Sequence, residues 1–465
     1  MPLQYVVSTR NKKKLIDNSH LFVKEKQSGE KTIWKCDQFY TRKCHARVHT
    51  NDESIIKRLG EHNHAGDIAR VEAAKVINET KEKAITTQET THCIATQAYV
   101  GVSQAVAGQL PTLQYLKRNI RNARKVTAQV PANPVSLLEL SIPSKYRITH
   151  SNEPFLLFDS DDGSDRIIIF STRRNLQLLS STSNWYADGT FKTAPPLFNQ
   201  LYSIHGIVNR DVLPLVYILM ANKTEESYNK VLSELKALGP TLSPRTIMTD
   251  FERAAINAFR AVFPDSDQQG CFFHFSQCLF RSIQSNGLQQ LYENDAGFAL
   301  KMRMIAAIAF VPVADVVISF EHLIDNTDFP EEVHSVLDYF EDTWIGRPNR
   351  RLIRRPPRFD HVMWNCFDAA KFCASKTNNA CEGWHRSFSE LIGAAHPTIW
   401  KFLEILKGEQ ARNEAIMEQY TAGAEPPRKK KKYKDTALRI QTIVNDFENR
   451  ELLDYLRGIA HNLSF

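Results

Sequence analysis

The sequence predicts an α/β protein: a mixed-sheet core carrying a helical insertion, preceded by a small β-rich N-terminal domain. Three observations predict it. Short β-type runs separated by turn residues fill the stretch up to about His64 (YVVST, HLFVKEK, KTIWKC, HARVHT, SIIKRL). From about Ser151, strand-like runs joined by tight turns give way to a helix–strand–helix–strand alternation. Between about Ser282 and Phe359 the pattern is mostly helical.

The bulk numbers agree with a folded chain of several domains. It has 465 residues, 42% hydrophobic and 24% charged. The formal charge of +7 is unevenly spread: Met1 to Arg70 holds 14 Lys+Arg against 8 Asp+Glu, and Val71 to His150 holds 10 against 5. A basic first third suits a polyanion such as DNA, and equally a solvated charged surface. The longest apolar run, Val212 to Ala221, is about half of the ~20 residues a spanning helix needs. No signal-like apolar stretch opens the sequence, so an intracellular, reducing location is expected. Eight cysteines in this length are too few for a disulfide scaffold, and clustered Cys and His are read first as metal or structural positions.

Element by element, residues 5–64 form the β-rich domain and residues 65–150 a basic helical region containing PTLQYLKRNIRNARK, with Pro111 and Thr112 as its start. The first part of the core spans 151–283. There FLLF, RIIIF, NWYADGTF, LYSIHGIVN, the almost wholly apolar LPLVYILMA, RTIMTD and QQGCFFHF read as strands or strand ends. RNLQLLSST, EESYNKVLSELKALG and FERAAINAFRAVF read as helices. The helical insertion covers 284–359, the final part of the core 360–410, and a basic tail with a C-terminal helix 411–465. In that tail Pro426 to Lys434 is a compact lysine run, read as a nuclear import signal or phosphate contact against a solvated linker. A last amphipathic segment runs from about Thr436 to Leu456, a candidate interface helix.

Seven residues separate Cys36 from Cys44, and seventeen separate Cys44 from His62-Asn63-His64. Two thiolates and two imidazoles satisfy tetrahedral zinc, and a domain this small gains folding energy from a metal. The spacing is not that of the common finger. Histidines two apart on a regular strand face opposite ways, so either a turn breaks the strand or only one of them binds. His45, His49 and Cys93 have no paired partner and are read as surface or packing residues. Around the ligands, Phe22, Ile33-Trp34-Lys35-Cys36, Cys44-His45-Ala46-Arg47 and His62-Asn63-His64 resemble the FLYWCH zinc finger over roughly Val6 to His64. The resemblance implies Zn2+ on Cys36, Cys44, His62 and His64, in a finger that binds DNA or protein. Ile33 stands where that family usually has an aromatic residue, a departure in packing rather than ligation.

Asp188 falls near the end of one core strand and Asp250 at the end of another. An acid at the edge of an apolar strand costs desolvation unless something uses it. Taken singly, Asp250 before a helix reads equally well as a cap, and Asp188 before Gly189 as a turn residue. Their order carries more. Asp188-Gly189-Thr190-Phe191, then Thr249-Asp250-Phe251-Glu252, then Cys271-Phe272-Phe273-His274 resemble the MULE (Mutator-like element) transposase domain over Asn184 to Arg281, and in wider pattern over about Ser151 to Gln410. The resemblance implies a ribonuclease-H-like core with a catalytic Asp, Asp, Glu triad on Mg2+ or Mn2+. The glutamate that fits is Glu382, in Thr377-Asn378-Asn379-Ala380-Cys381-Glu382, 132 residues after Asp250. It implies two-metal strand cleavage and transfer on DNA at transposon ends, by a protein that acts as a homo-oligomer; the lysine run makes the nucleus the expected location.

Cys271 and His274 supply two potential ligands, which do not make a zinc site, and are read as structural or substrate-orienting. Cys278, Cys366, Cys373 and Cys381 show no ligand spacing. His385, three residues after Glu382 on one helical face, is read as orienting that glutamate or touching DNA; Trp384 stacks on a base or packs. Three functions stay open at this level: a competent transposase, a host-adopted or inactive derivative that regulates by binding DNA, and a zinc-finger protein-interaction module.

Overall fold

The structure, a computed structural model, describes residues 3–7, 12–51, 54–87, 89–127, 131–161, 163–351, 353–426 and 431–465. Of the lysine run, Pro427, Arg428, Lys429 and Lys430 lie outside the described residues. The chain divides into two compact units, Met1–Ala132 and Asn133–Phe465.

The first unit opens with an antiparallel meander of six strands paired in chain order: β1 (Gln4–Val7), β2 (Lys13–Asp17), β3 (His20–Ser28), β4 (Lys31–Cys36), β5 (Arg47–Thr50) and β6 (Ile55–Leu59). Its core is small: Leu15, Phe22, Trp34, Ala46 and Val48, together with the thiol carriers Cys36 and Cys44. Trp34 satisfies its buried indole N–H on Thr50 Oγ1 at 2.9 Å. Four helices follow, Ile68–Thr86, Thr91–Gln97, Gln104–Ala107 and Leu113–Thr127, packed around Ala84, Ile94, Ala95, Leu116 and Ile120. Asp67 and Thr90 cap the first two by accepting from Arg70 N and Cys93 N. Arg124, one of the basic residues of the last helix, donates to the carbonyls of Ala84, Thr87 and Glu89. It therefore closes a helix C-terminus, while Arg118 and Arg121 are exposed.

The second unit is built on a seven-stranded mixed sheet of β7 (Leu156–Asp159), β8 (Ile167–Phe170), β9 (Asn184–Thr190), β10 (Gln200–Val208), β11 (Asp211–Met220), β12 (Thr246–Thr249) and β13 (Asp267–Gly270). Its order is β13-β12-β9-β10-β11-β8-β7. β12 runs parallel to β9 and β13; the other pairings are antiparallel. The continuous apolar runs are explained by cover on both faces. Ile167, Ile169, Ile218 and Met220 join one core with helices Arg173–Ser181, Glu225–Leu238 and Arg253–Val262. Their alternates Ile168, Phe170, Tyr217 and Leu219 join another with helices Asn379–Ile392 and Ile399–Thr421.

A helical lobe grows from the helix Phe272–Ser285, with Phe275 stacked on Trp364 at 5.1 Å between ring centroids. The C-terminal segment differs from its sequence reading as one helix. It forms two, Lys431–Asn445 and Leu452–Ala460, broken where Arg450 turns back to Asp446. Their apolar sides, including Ile440, Val444, Tyr455 and Ile459, are buried in this lobe, so the amphipathic face is not free for an interface.

Candidate metal centres

Among the described residues, two groups of three or more Cys, His, Asp or Glu bring their ligand atoms within 4.8 Å of one another: Cys36, Cys44, His62 and His64, and Cys271, His274 and Glu382.

In the first group the strand problem is solved by termination. β6 ends at Leu59, Gly60 takes a positive φ of 72°, and His62 and His64 sit on irregular backbone. Both rings therefore turn inward. Cys36 Sγ lies 3.3 Å from His64 Nε2, and Cys44 Sγ lies 3.3 Å from His62 Nδ1. A tetrahedral zinc at its usual bond lengths sets a sulfur–nitrogen spacing of about 3.5 Å. Burial pushes the Cys36 thiol up to about 11, and burial with the neighbouring His20 and His64 rings pushes His62 down to about 4. Neutral imidazole is the ligand form, and a cation would reverse the thiol shift. His20, which the sequence did not single out, stacks on His62 with centroids 3.6 Å apart and shares its Nδ1 with Asn18 O. His64 Nδ1 faces Ala65 O at 3.1 Å, which fixes that ring from behind. Of the unpaired residues, His49 is buried in the meander and Cys93 contacts Glu89; neither joins the ligands.

The acids of the second unit meet at one edge of the sheet. β9 and β12 are parallel neighbours registered Met248↔Tyr186, and two further steps bring Asp250 beside Asp188. Asp188 is inside β9, paired across from Ser203, and not in a turn. A Cβ at Gly189 would stand 2.6 Å from Gln200 Oε1 and 3.2 Å from Tyr202 Cδ2, so the residue after Asp188 has no room for a side chain. Asp250 accepts from Glu252 N at 3.2 Å, but the helix cap is Glu252. Glu252 itself is neutralised by Lys223 at 2.9 Å, which leaves Asp250 as the acid facing Asp188.

Glu382 reaches this edge on the first turn of helix Asn379–Ile392. Asn378 pins that turn: its side-chain amide donates to Ala187 O at 3.3 Å and its backbone N–H to Cys271 Sγ at 3.1 Å. Phe272 N donates to Lys376 O at 3.0 Å alongside. Sequence reading missed Asn378 because an asparagine before a helix looks like a cap, yet its side chain caps nothing here.

The contacts of the two histidines differ from the sequence reading, which set His385 against Glu382 and gave His274 no partner. His385 Nε2 approaches Asp188 Oδ2 at 3.6 Å and Ser203 Oγ at 3.2 Å, and it is His274 Nε2 that approaches Glu382 Oε1, at 3.7 Å. Ser203 continues the chain to the fully buried His205 at 2.8 Å, a residue that read simply as part of a strand. Trp384 packs: its N–H donates to Glu409 and its ring stacks on Phe388. Cys271 is buried beside Tyr186, Met248 and Cys381.

Burial, then the Asp250 and Glu382 carboxylates, push the Asp188 carboxyl up to about 7. Burial raises Asp250 against the pull of Lys223, and burial pushes Glu382 up to about 7 against Arg386. Glu382 Oε1 is buried with no hydrogen-bond partner. Three desolvated carboxyls sharing so little countercharge fit a divalent cation, whose charge would bring each back to its ionised form. The acids do not close within a single 4.8 Å group. A two-metal arrangement does not require it, because its ions stand ~3.5–4 Å apart.

Residues 5–64 match the FLYWCH zinc finger domain, and residues 184–278 match the MULE transposase domain. No curated protein matches the chain. The four-ligand geometry and the first match together identify the N-terminal cluster as a zinc site.

Proposed function

We propose that this protein is a DNA transposase that binds DNA through its finger and basic helices and cuts it at Asp188, Asp250 and Glu382, in the nucleus and as a homo-oligomer. The two domain matches support a transposase-like DNA-binding protein. The observation that carries the catalytic reading is the convergence of Asp188 and Asp250 on adjacent parallel strands, with Glu382 brought to the same edge by a pinned helix. The sheet supports a ribonuclease-H-like core: an antiparallel triple, β9 to β11, extended past β9 by two parallel strands.

A pair of Mg2+ or Mn2+ ions bound there would supply an activated water or 3′-hydroxyl and a stabilised leaving oxygen. The chain's own contribution is placement. Asp188 and Asp250 are fixed by strand register, and Asn378 holds the turn that carries Glu382. His385, driven to about 4 by burial and so neutral, stands beside Asp188 without competing for it as a cation. Exposed Phe191, three residues past Asp188, has the Lys223 ammonium 4.4 Å from its ring centroid. No helix among the described residues is long and apolar enough to cross a membrane.

The test is Mg2+- or Mn2+-dependent nicking of supercoiled plasmid by the purified chain beside Asp250→Ala. Nicking that disappears in the variant is the expected result. If neither chain nicks while zinc-dependent DNA binding persists, the regulator reading replaces this one. If neither nicks nor binds DNA, the finger is a protein-interaction module.

A further inference from the structure

Magnesium takes oxygen ligands, yet Glu382 also has a sulfur and a nitrogen within reach. Cys271 Sγ, one His274 ring nitrogen and a Glu382 oxygen lie within 4.8 Å of one another. The His274 Nε2 to Glu382 Oε1 separation of 3.7 Å is too long for a hydrogen bond. It approaches the spacing of about 3.4 Å that a shared tetrahedral zinc sets between nitrogen and oxygen ligands. Glu382 Oε1 is buried without a hydrogen-bond partner, as is the other ring nitrogen of His274, Nδ1. Thiolate and imidazole select zinc and similar borderline metals over magnesium.

We propose that Cys271, His274 and Glu382 are a second zinc site, with three protein ligands and an open fourth position, that draws Glu382 out of the acid set. The consequence for catalysis rests on the function proposed above; the site does not.

The backbone N–H of Asn378 donates to Cys271 Sγ at 3.1 Å, a contact that would also stabilise a thiolate. Zinc binding therefore exchanges one proton, lost from the thiol to solvent, for one sulfur–zinc bond. The ligands come from the start of helix Phe272–Ser285 and the first turn of helix Asn379–Ile392, so zinc would tie the root of the helical lobe to the element that carries the third acid. Zinc and magnesium thus contend for one carboxylate, and zinc in excess becomes an inhibitor.

Cobalt(II) titration of the metal-stripped full chain tests this, with thiolate ligation read from the near-ultraviolet charge-transfer band. The expected result is two equivalents per chain. A Cys36→Ser, Cys44→Ser chain keeps one, with a thiolate band, and adding Cys271→Ser removes it. His274→Gln, at a side chain 23% exposed, gives the same loss without disturbing a fully buried position. The proposal is overturned if the chain lacking both finger cysteines shows no thiolate band, or keeps its band after both Cys271→Ser and His274→Gln. The titration contains neither DNA nor magnesium, so it stands whether or not the chain cuts.

Discussion

The zinc cluster of the finger and the acid cluster of the second unit are built in opposite ways. The finger's ligands lie within 29 residues of one another, on a domain whose core includes two of those ligands, Cys36 and Cys44. The acids of the second unit are spread over 195 residues, from Asp188 to Glu382, and sit on a sheet that large apolar layers already hold together. In the first case the metal is part of what folds the domain; in the second the fold is complete and holds three carboxyls against their own repulsion. A site of the first kind should fail by unfolding, and one of the second kind by losing chemistry.

Four experiments test that contrast, the most disruptive first. Chelating the finger's zinc, or Cys44→Ser, removes a contribution on the order of 10 kcal/mol, comparable to the whole stability of a small domain. Amide exchange in β3, β4 and β5 is expected to rise to unprotected rates while β9 to β11 keep their protection. Equal loss in both regions would end the distinction.

Asp188→Asn should cut nicking by on the order of a thousandfold or more. It should also leave the melting temperature in chelator unchanged or raised, because it removes an ionisable group buried beside two other acids. A marked fall in melting temperature would make Asp188 a structural residue instead.

Asn378→Ala lies between the two modes. Losing the bond to Ala187 O should cost about 1–3 kcal/mol, and displacing Glu382 should slow nicking by about a hundredfold. Thermal melting and nicking rate measured on one preparation separate the two parts. The smallest effect is expected from Arg118→Ala or Arg121→Ala, each weakening DNA binding a few-fold and lowering the salt slope by about one. Neither should alter metal content, which makes them the baseline for the other three.

Much of this was legible in the sequence because periodicity and order report strands and their sequence neighbours. The apolar run of β11 announced a strand covered on both faces, and the short motifs around Asp188, Asp250 and Cys271 announced the MULE domain found at 184–278. Partner choice across elements was not legible. His385 and Glu382 share a helical face, but which acid His385 meets is decided by where β9 lies relative to that helix, and no local spacing encodes that. The same limit hid Glu382 as a companion of Cys271 and His274, since more than a hundred residues, most of the lobe among them, separate it from them along the chain. The C-terminal amphipathic pattern was visible, but not its destination inside the protein's own lobe.

That destination bears on how the protein is made. Tyr455 donates its hydroxyl to the carbonyl of Phe310, and Ile440, Val444 and Ile459 complete a core begun at Phe272. On the ribosome the finger can fold once residues 5–64 have emerged, whereas the lobe's apolar interior waits, uncovered, for residues 431–465. Nascent chains arrested shortly after Pro426 should bind a hydrophobic holdase that the released protein does not. Premature stop codons in that stretch should yield aggregation rather than a shortened soluble protein.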